Sequence, residues 1–206
     1  MRPTRIPLFP LDVVLLPGAA LPLHIFEPRY KKMIGRCIVQ KLEFGMIYAT
    51  GQNVAAIGCT AEIVQKMKQY PDGRMDILTR GRAPFRLLQL LQDEIYHEGV
   101  VEYLSEELAR EDAQKKTRIV QLLQDCHVLL YGQAWVDSSE EREFSLAYRM
   151  AARLPIELEQ KQKLLQMRCE NERCDFLEQW LEEFLPKLEE RQSVRKRAAG
   201  NGHGPN

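Results

Sequence analysis

Cysteine is scarce, with five residues in 206, at positions 37, 59, 126, 169 and 174. So sparse and odd a set reads as reduced thiols, not a disulfide framework, and places the protein in the cytoplasm. Net charge is missing as well, since 29 Lys and Arg balance 29 Asp and Glu. Residues 1–103 carry 13 basic and 10 acidic side chains (+3), and residues 104–206 carry 16 and 19 (−3). No large field is available to draw in DNA or an anionic membrane surface. The uncharged stretch Val13–Phe26 contains Pro17 and Pro22 and falls short of the ~20 residues of a membrane span. Arg2 and Arg5 precede it as in a signal peptide, but Pro7, Pro10 and Asp12 interrupt the helix that an export signal needs.

Two catalytic signatures are also lacking. No glycine-rich loop ends in Gly-Lys-Ser/Thr, which excludes a phosphate-loop ATPase within these residues. Only five serines occur (105, 138, 139, 145 and 193), none in a Gly-x-Ser-x-Gly elbow, which argues against a serine hydrolase. What remains is ordinary globular material, 45% hydrophobic and 28% charged. At ~150 residues per domain the length suits one large or two small domains, and such a chain buries about 70% of its extended surface.

The pattern changes near residue 105. Eight of eleven prolines and eight of twelve glycines precede it, separating short apolar runs. Arg5–Phe9, Val13–Leu16, Leu21–Phe26, Phe44–Ala49, Ile57–Met67, Met75–Arg80, Phe85–Leu91 and Tyr96–Leu104 read as strands. Tyr70-Pro71-Asp72-Gly73-Arg74 reads as a hairpin turn, with proline fixing φ and glycine supplying a positive φ. One helix interrupts this half. It opens at Pro28 and places Tyr30, Met33, Ile34, Cys37 and Ile38 on one face.

Beyond 105 the period becomes 3.6. Ile119, Leu122, Leu123, Cys126, Leu129 and Leu130 form one stripe, and Phe144, Ala147, Tyr148 and Ala151 a second that ends at Pro155. Leu158, Leu164 and Leu165 mark a short third helix. Leu177, Trp180, Leu181, Phe184, Leu185 and Leu188 mark a fourth, whose stripe reads as core in preference to a docking face. The expected division is a β-rich subdomain over residues 1–104, a helical bundle over 105–190 and a disordered tail over 191–206.

Candidate chemistry is thin. Cys126-His127 offers a thiol and an imidazole, but Cys126 lies on an apolar stripe and reads as a buried structural thiol. Cys169 and Cys174 straddle a helix break and lack the four convergent ligands of a zinc site. His24, Glu27, Arg29 and Tyr30 cluster at a strand-to-helix junction. There Glu27 is expected to cap the amides near Pro28, and Arg29 to pair with a carboxylate. Arg80, Arg82 and Arg86, interleaved with Phe85, could share one strand face toward RNA phosphates, although a solvated face is the plainer reading.

Residues 6–34, IPLFPLDVVLLPGAALPLHIFEPRYKKMI, resemble the opening of the N-terminal substrate-binding domain of the Lon protease family. The resemblance continues through Gly58–Ile63, Pro71–Arg74 and Gly81–Arg86. It resumes at Leu154-Pro155, Lys161–Leu165 and Arg173. It implies an α+β fold, in which an N-terminal β-rich PUA-like pseudo-barrel with one inserted helix precedes a C-terminal helical bundle. In full-length Lon proteases an AAA-type ATPase and a Ser–Lys peptidase domain follow. Neither has a counterpart in these residues, so the sequence reads as a stand-alone Lon-domain protein. Two departures bear on the local groove. Cys59 splits a Gly-Thr step that the family keeps contiguous, and Pro84 removes a strand donor, suggesting an edge or a bulge.

The expected function is therefore a non-catalytic module for exposed peptide segments or a partner protein, without cofactor or metal. The peptide would add to an open strand edge near Pro84 or enter an apolar site between barrel and bundle. The expected contacts are His24, Glu27, Arg29, Tyr30, Arg82 and Phe85. RNA binding through Arg80, Arg82 and Arg86 is the alternative, since PUA-like folds include RNA binders, and a thiol enzyme using Cys126 and His127 is a third reading.

Overall fold

A computed structural model describes residues 2–51, 53–92, 95–107, 112–136 and 143–200, with side chains through 194. Six strands form one sheet: β1 Arg5–Leu11, β2 Ala20–Ile25, β3 Phe44–Thr50, β4 Asn53–Gln69, β5 Met75–Leu91 and β6 Glu98–Tyr103. Their order is β2-β5-β4-β3-β1-β6, and an added β5–β6 pairing closes β1, β3, β4, β5 and β6 into a ring. Only β1–β3 is parallel. Five strands that each turn one face inward enclose a small core of Ile6, Leu8, Ile47, Phe85 and Val101. Gly58 is obligatory beside it, because a Cβ there would lie 2.5 Å from both the Phe85 ring and the Met46 carbonyl.

The long strand β5 organises this half. From Met75 to Phe85 it alternates strictly, odd residues buried and even residues outward. Its first half pairs with β2 and its last with β6, while β4 accompanies it along the other edge. Two separate strands were expected here; Gly81–Pro84 instead joins them as the point where β5 changes partner. Val13–Leu16, expected as a strand, is a buried loop that fills the gap at this switch. The Gly18 amide donates to the Gly81 carbonyl and the Gly81 amide to the Ala19 carbonyl, both at 2.9 Å. Gly18 takes φ +81°, which ends any strand in the loop.

Pro84 does not mark an open edge. It sits opposite Cys59 on one side, and its carbonyl accepts the Leu104 amide at 3.0 Å on the other. The bulge part of the expectation holds, since the β4–β5 register shifts between Cys59 and Ala61. Buried Thr60 fills that irregularity, accepting from the Ala83 amide at 3.1 Å and donating to the Glu43 carboxylate at 2.6 Å.

Helix α1, Pro28–Gln40, buries Tyr30, Met33, Ile34 and Cys37, the face expected from the sequence. Glu27 occupies the N-cap position, but its side chain caps no amide; it accepts the Arg29 guanidinium instead, at 2.8 Å. The second half holds α2 Ala113–Tyr131, α3 Leu146–Ala151, α4 Leu158–Gln166 and α5 Glu170–Gly200. Asp112 caps α2 by accepting from the Gln114 and Lys115 amides. Helix α5 contains Pro186 and continues beyond residue 190, so residues 191–200 are helical where a disordered tail was expected; residues 201–206 lie outside the described residues. Side-chain packing accounts for part of this extension, because Gln192 of α5 donates to the Leu129 carbonyl of α2.

A single larger core runs from Phe9, Ile25 and Tyr30 on the β side to Leu123, Leu177 and Leu181 among the helices. At the junction Arg173 is 1% exposed. It donates to Glu106 just past β6, to Glu170 at 3.0 Å and to the Met167 carbonyl at 2.9 Å, and its guanidinium lies 4.4 Å from the Tyr148 ring centre. Breaking a buried ion pair by removing one partner costs about 3–5 kcal/mol. Arg173→Met is expected near the lower end, about 3 kcal/mol, because half-exposed Glu106 can rehydrate. Urea unfolding of the variant with an unchanged m-value checks this.

Candidate functional site

The antiparallel register of β2 on β5 sets His24 opposite Asp76. Cross-strand partners project from the same face, and here His24 Nδ1 lies 2.5 Å from Asp76 Oδ1. The other carboxylate oxygen accepts the Tyr70 hydroxyl at 2.9 Å. Tyr70 opens the hairpin turn, whose Gly73 takes φ +84° and donates to the Tyr70 carbonyl at 3.0 Å. Asp72 braces the turn by accepting both the amide and the side chain of Arg74. Lys31 of α1 reaches the Asp72 carbonyl at 3.1 Å and ties the helix to the hairpin.

Aromatic surface gathers on this frame. The His24 ring lies edge-on to Tyr70 at 5.9 Å and stacks near Phe26 at 6.0 Å. Phe26 is 58% exposed, a large apolar group with little cover. Lys68 and Arg74 both lie over the Tyr70 ring, at 4.6 and 5.0 Å. Arg29 pairs with Glu27 and lies 4.5 Å from the centre of the Tyr30 ring. The result is an apolar aromatic platform rimmed by charge, which suits apolar side chains and peptide groups. It assembles no nucleophile with a base to activate it.

The six sequence-predicted contacts separate. His24, Glu27 and Arg29 share the β2–α1 junction. Tyr30 lies beneath it, 5% exposed and stacked 4.1 Å from Phe9. Phe85 is a correction: it is fully buried inside the ring and offers no surface to a peptide. Arg82 belongs to another surface, where it meets Glu143 at 2.8 Å, Glu62 at 3.5 Å and the Phe144 ring. Arg80, Arg82 and Arg86 do share the outward face of β5, but Arg82 is engaged by these carboxylates and Arg86 faces Glu102 at 3.5 Å. Phe26, Tyr70 and Asp76 complete the platform without having been singled out as contacts. Asp76 was hidden because its partner lies 52 residues away in the chain.

The Cys126 thiol is buried, which pushes it up to about 11, and His127 is turned to the Gln133 carbonyl instead. Burial likewise raises Cys37 to about 11 and Cys174 to about 12, and pushes Cys59 higher still. Among the described residues, no three His, Cys, Asp or Glu side chains converge as a metal site. Maleimide labelling at neutral pH is expected to modify half-buried Cys169 first, with the other four slower in the folded protein than in urea. Fast labelling of Cys126 in the folded state would contradict this.

Hydrogen bonds from His24 and then Tyr70 hold the Asp76 carboxyl below its usual range. A carboxyl lowered on folding stabilises the fold above its unfolded value, about 3.9. That contribution fades as pH falls through the lower folded value. The platform is therefore expected to stay intact down to about pH 4 and to loosen below it. Ring-proton shifts of Tyr70 and Phe26 followed through an acid titration check this, and Asp76→Asn should remove the transition.

Comparison with known proteins closes the assignment. The family described as the ATP-dependent protease La (LON) substrate-binding domain matches residues 5–183. The Lon protease of Escherichia coli (strain K12) is 27% identical over 96% of this chain, and that of Cytophaga hutchinsonii 21% over 93%. The chain spans 28% and 26% of those two proteins, about a quarter of their length. Among solved structures, a Lon N-terminal domain protein from Xanthomonas campestris superposes with a TM-score of 0.68 at 28% identity, covering 86% of this chain and 98% of its own. The N-terminal domain of Mycobacterium avium complex Lon protease shares the fold, with a TM-score of 0.62 at 16% identity and the same coverage of both chains. This chain belongs to the Lon substrate-binding domain family.

Proposed function

We propose that this chain is a non-catalytic binding module for exposed, extended peptide segments of other proteins, and that the Phe26–His24–Tyr70 platform is where they bind. The observation that carries the reading is an exposed aromatic surface fixed by Asp76 and rimmed by Arg29, Lys68 and Arg74, in a domain of the Lon substrate-binding family. Apolar side chains of an unfolded segment would lie on Phe26 and the ring edges, while Arg29 and Arg74 would meet its carbonyl or carboxylate oxygens. Such binding draws on apolar area and therefore changes little with salt. Phosphate neutralisation by basic residues falls steeply with it.

Fluorescence anisotropy with unstructured apolar peptides, a folded control protein and a single-stranded RNA, each at low and high salt, tests the reading. Micromolar peptide binding that survives salt is expected. Phe26→Ala combined with Arg74→Ala should weaken it about tenfold, equivalent to ~1.4 kcal/mol, with melting unchanged because both side chains are exposed. Unaltered peptide affinity in this variant would remove the platform. Salt-sensitive binding of RNA alone would replace the reading with RNA recognition.

A further inference from the structure

Among the described residues, the outer side of β2 and the outer side of β4 beyond Ala61 meet no neighbouring strand, and the β4 edge is the longer. Strand β3 leaves β4 at the Phe44–Ala61 pair, whereas β5 stays with β4 to Gln69. From Ile63 to Gln69, ~23 Å at about 3.3 Å per residue, the edge of β4 away from β5 meets no strand and no other backbone partner among the described residues. Val64 and Met67 along it are 45% and 48% exposed. A groove of about 440 Å³ runs between this edge and the end of α1, lined by Ile38, Lys41, Leu42, Glu43, Ile63 and Lys66 among others.

The charges beside the groove are unequal in what they already do. Glu43 accepts the Thr60 hydroxyl at 2.6 Å, and Glu62 faces Arg82 at 3.5 Å. Lys41 and Lys66 have no ion-pair partner among the described residues, and Lys68 follows on the same edge. An unpaired edge invites a strand from any chain, and lysines on it are one means of refusing the wrong ones. A second copy pairing edge to edge would bring these lysines toward their counterparts, and like charges facing across strands are destabilising. An acidic strand inverts the sign of every such contact.

We propose that the outer edge of β4 from Ile63 to Gln69 docks an extended acidic segment of a partner polypeptide by strand addition. Backbone groups of the segment pair with β4, its apolar side chains enter the groove against Ile38, Leu42 and Ile63, and its carboxylates meet Lys41 and Lys66. The register shifts at Ile63/Gln65 and Lys66/Lys68 twist this edge. They limit it to a short segment and disfavour open-ended stacking. This surface shares Lys68 with the rim of the aromatic platform but does not depend on the platform's rings.

The probes are a fluorescein-labelled alternating glutamate–valine hexapeptide, its lysine–valine counterpart, and glutamate–valine peptides N-methylated on one or the other alternate set of amides. The acidic peptide is expected to bind at least tenfold more tightly than the lysine peptide, and one of the two methylated forms to lose binding. Amides within Ile63–Gln69 should exchange more slowly in the complex. Lys41→Glu with Lys66→Glu, both exposed positions, should reverse the charge preference, while Phe26→Ala should leave all of these readouts unchanged. Equal affinity for both charges, full binding by both methylated peptides, no binding at all, or no protection on β4 would each overturn the proposal. Loss of binding in Phe26→Ala would overturn it as well, by assigning the peptide to the platform.

Discussion

The structure depends on a buried guanidinium. Arg173 reaches Glu106 at the exit of the strand-rich half, Glu170 at the start of α5, the Met167 carbonyl at the end of α4 and the face of Tyr148 in α3. Arginine suits this place because its planar fork serves several acceptors at once and still stacks on a ring. A buried cation is costly alone, so the four elements are fixed relative to one another by the need to keep it satisfied. Ser145 extends the network by donating to Glu170, which also accepts the Ala147 amide at 3.1 Å. This polar knot joins the helices to the ring inside a mostly apolar interface, and Gln162 of α4 adds a second link by donating to the Ile57 carbonyl of β4 at 2.8 Å.

The same economy governs the strand half. One long strand, β5, carries β2 on its first stretch and closes the ring through β6 on its last. The hairpin tip with β2 and β4 therefore extends from the closed ring as a three-stranded arm. Its free end brings Tyr70 and Asp76 beside His24, and Lys31 of α1 tethers it. The ring and helices supply rigidity, and the arm supplies surface. Arg173 and Phe85 serve the first, and Phe26 and the β4 edge serve the second.

Much of this was legible in the residues. The change of period near 105 falls between the end of β6 at Tyr103 and the start of α2 at Ala113, and the buried face of α1 matched its apolar spacing. The errors have common physical causes. Val13–Leu16 is apolar enough for a strand, but the Pro17-Gly18 break turns it into a plug, and the Gly18 and Ala19 that follow it make the hydrogen bonds to Gly81. Phe85 between arginines looked like an exposed aromatic; strict alternation along β5 instead sends Arg82 and Arg86 outward and Phe85 into the ring. At the platform, local polarity exposed His24, Glu27 and Arg29. Asp76 and Tyr70 join them only through a strand register that no local pattern encodes.

In the function proposed above, extended peptide segments bind the arm's aromatic end. The most direct measurement is amide and ring chemical-shift mapping of isotope-labelled protein during titration with an unstructured apolar peptide. Changes are expected to concentrate at Ile25–Lys31 and Tyr70–Asp76, with the ring interior around Phe85 unmoved. Changes confined to the outward arginines of β5, or no changes at saturating peptide, would contradict it.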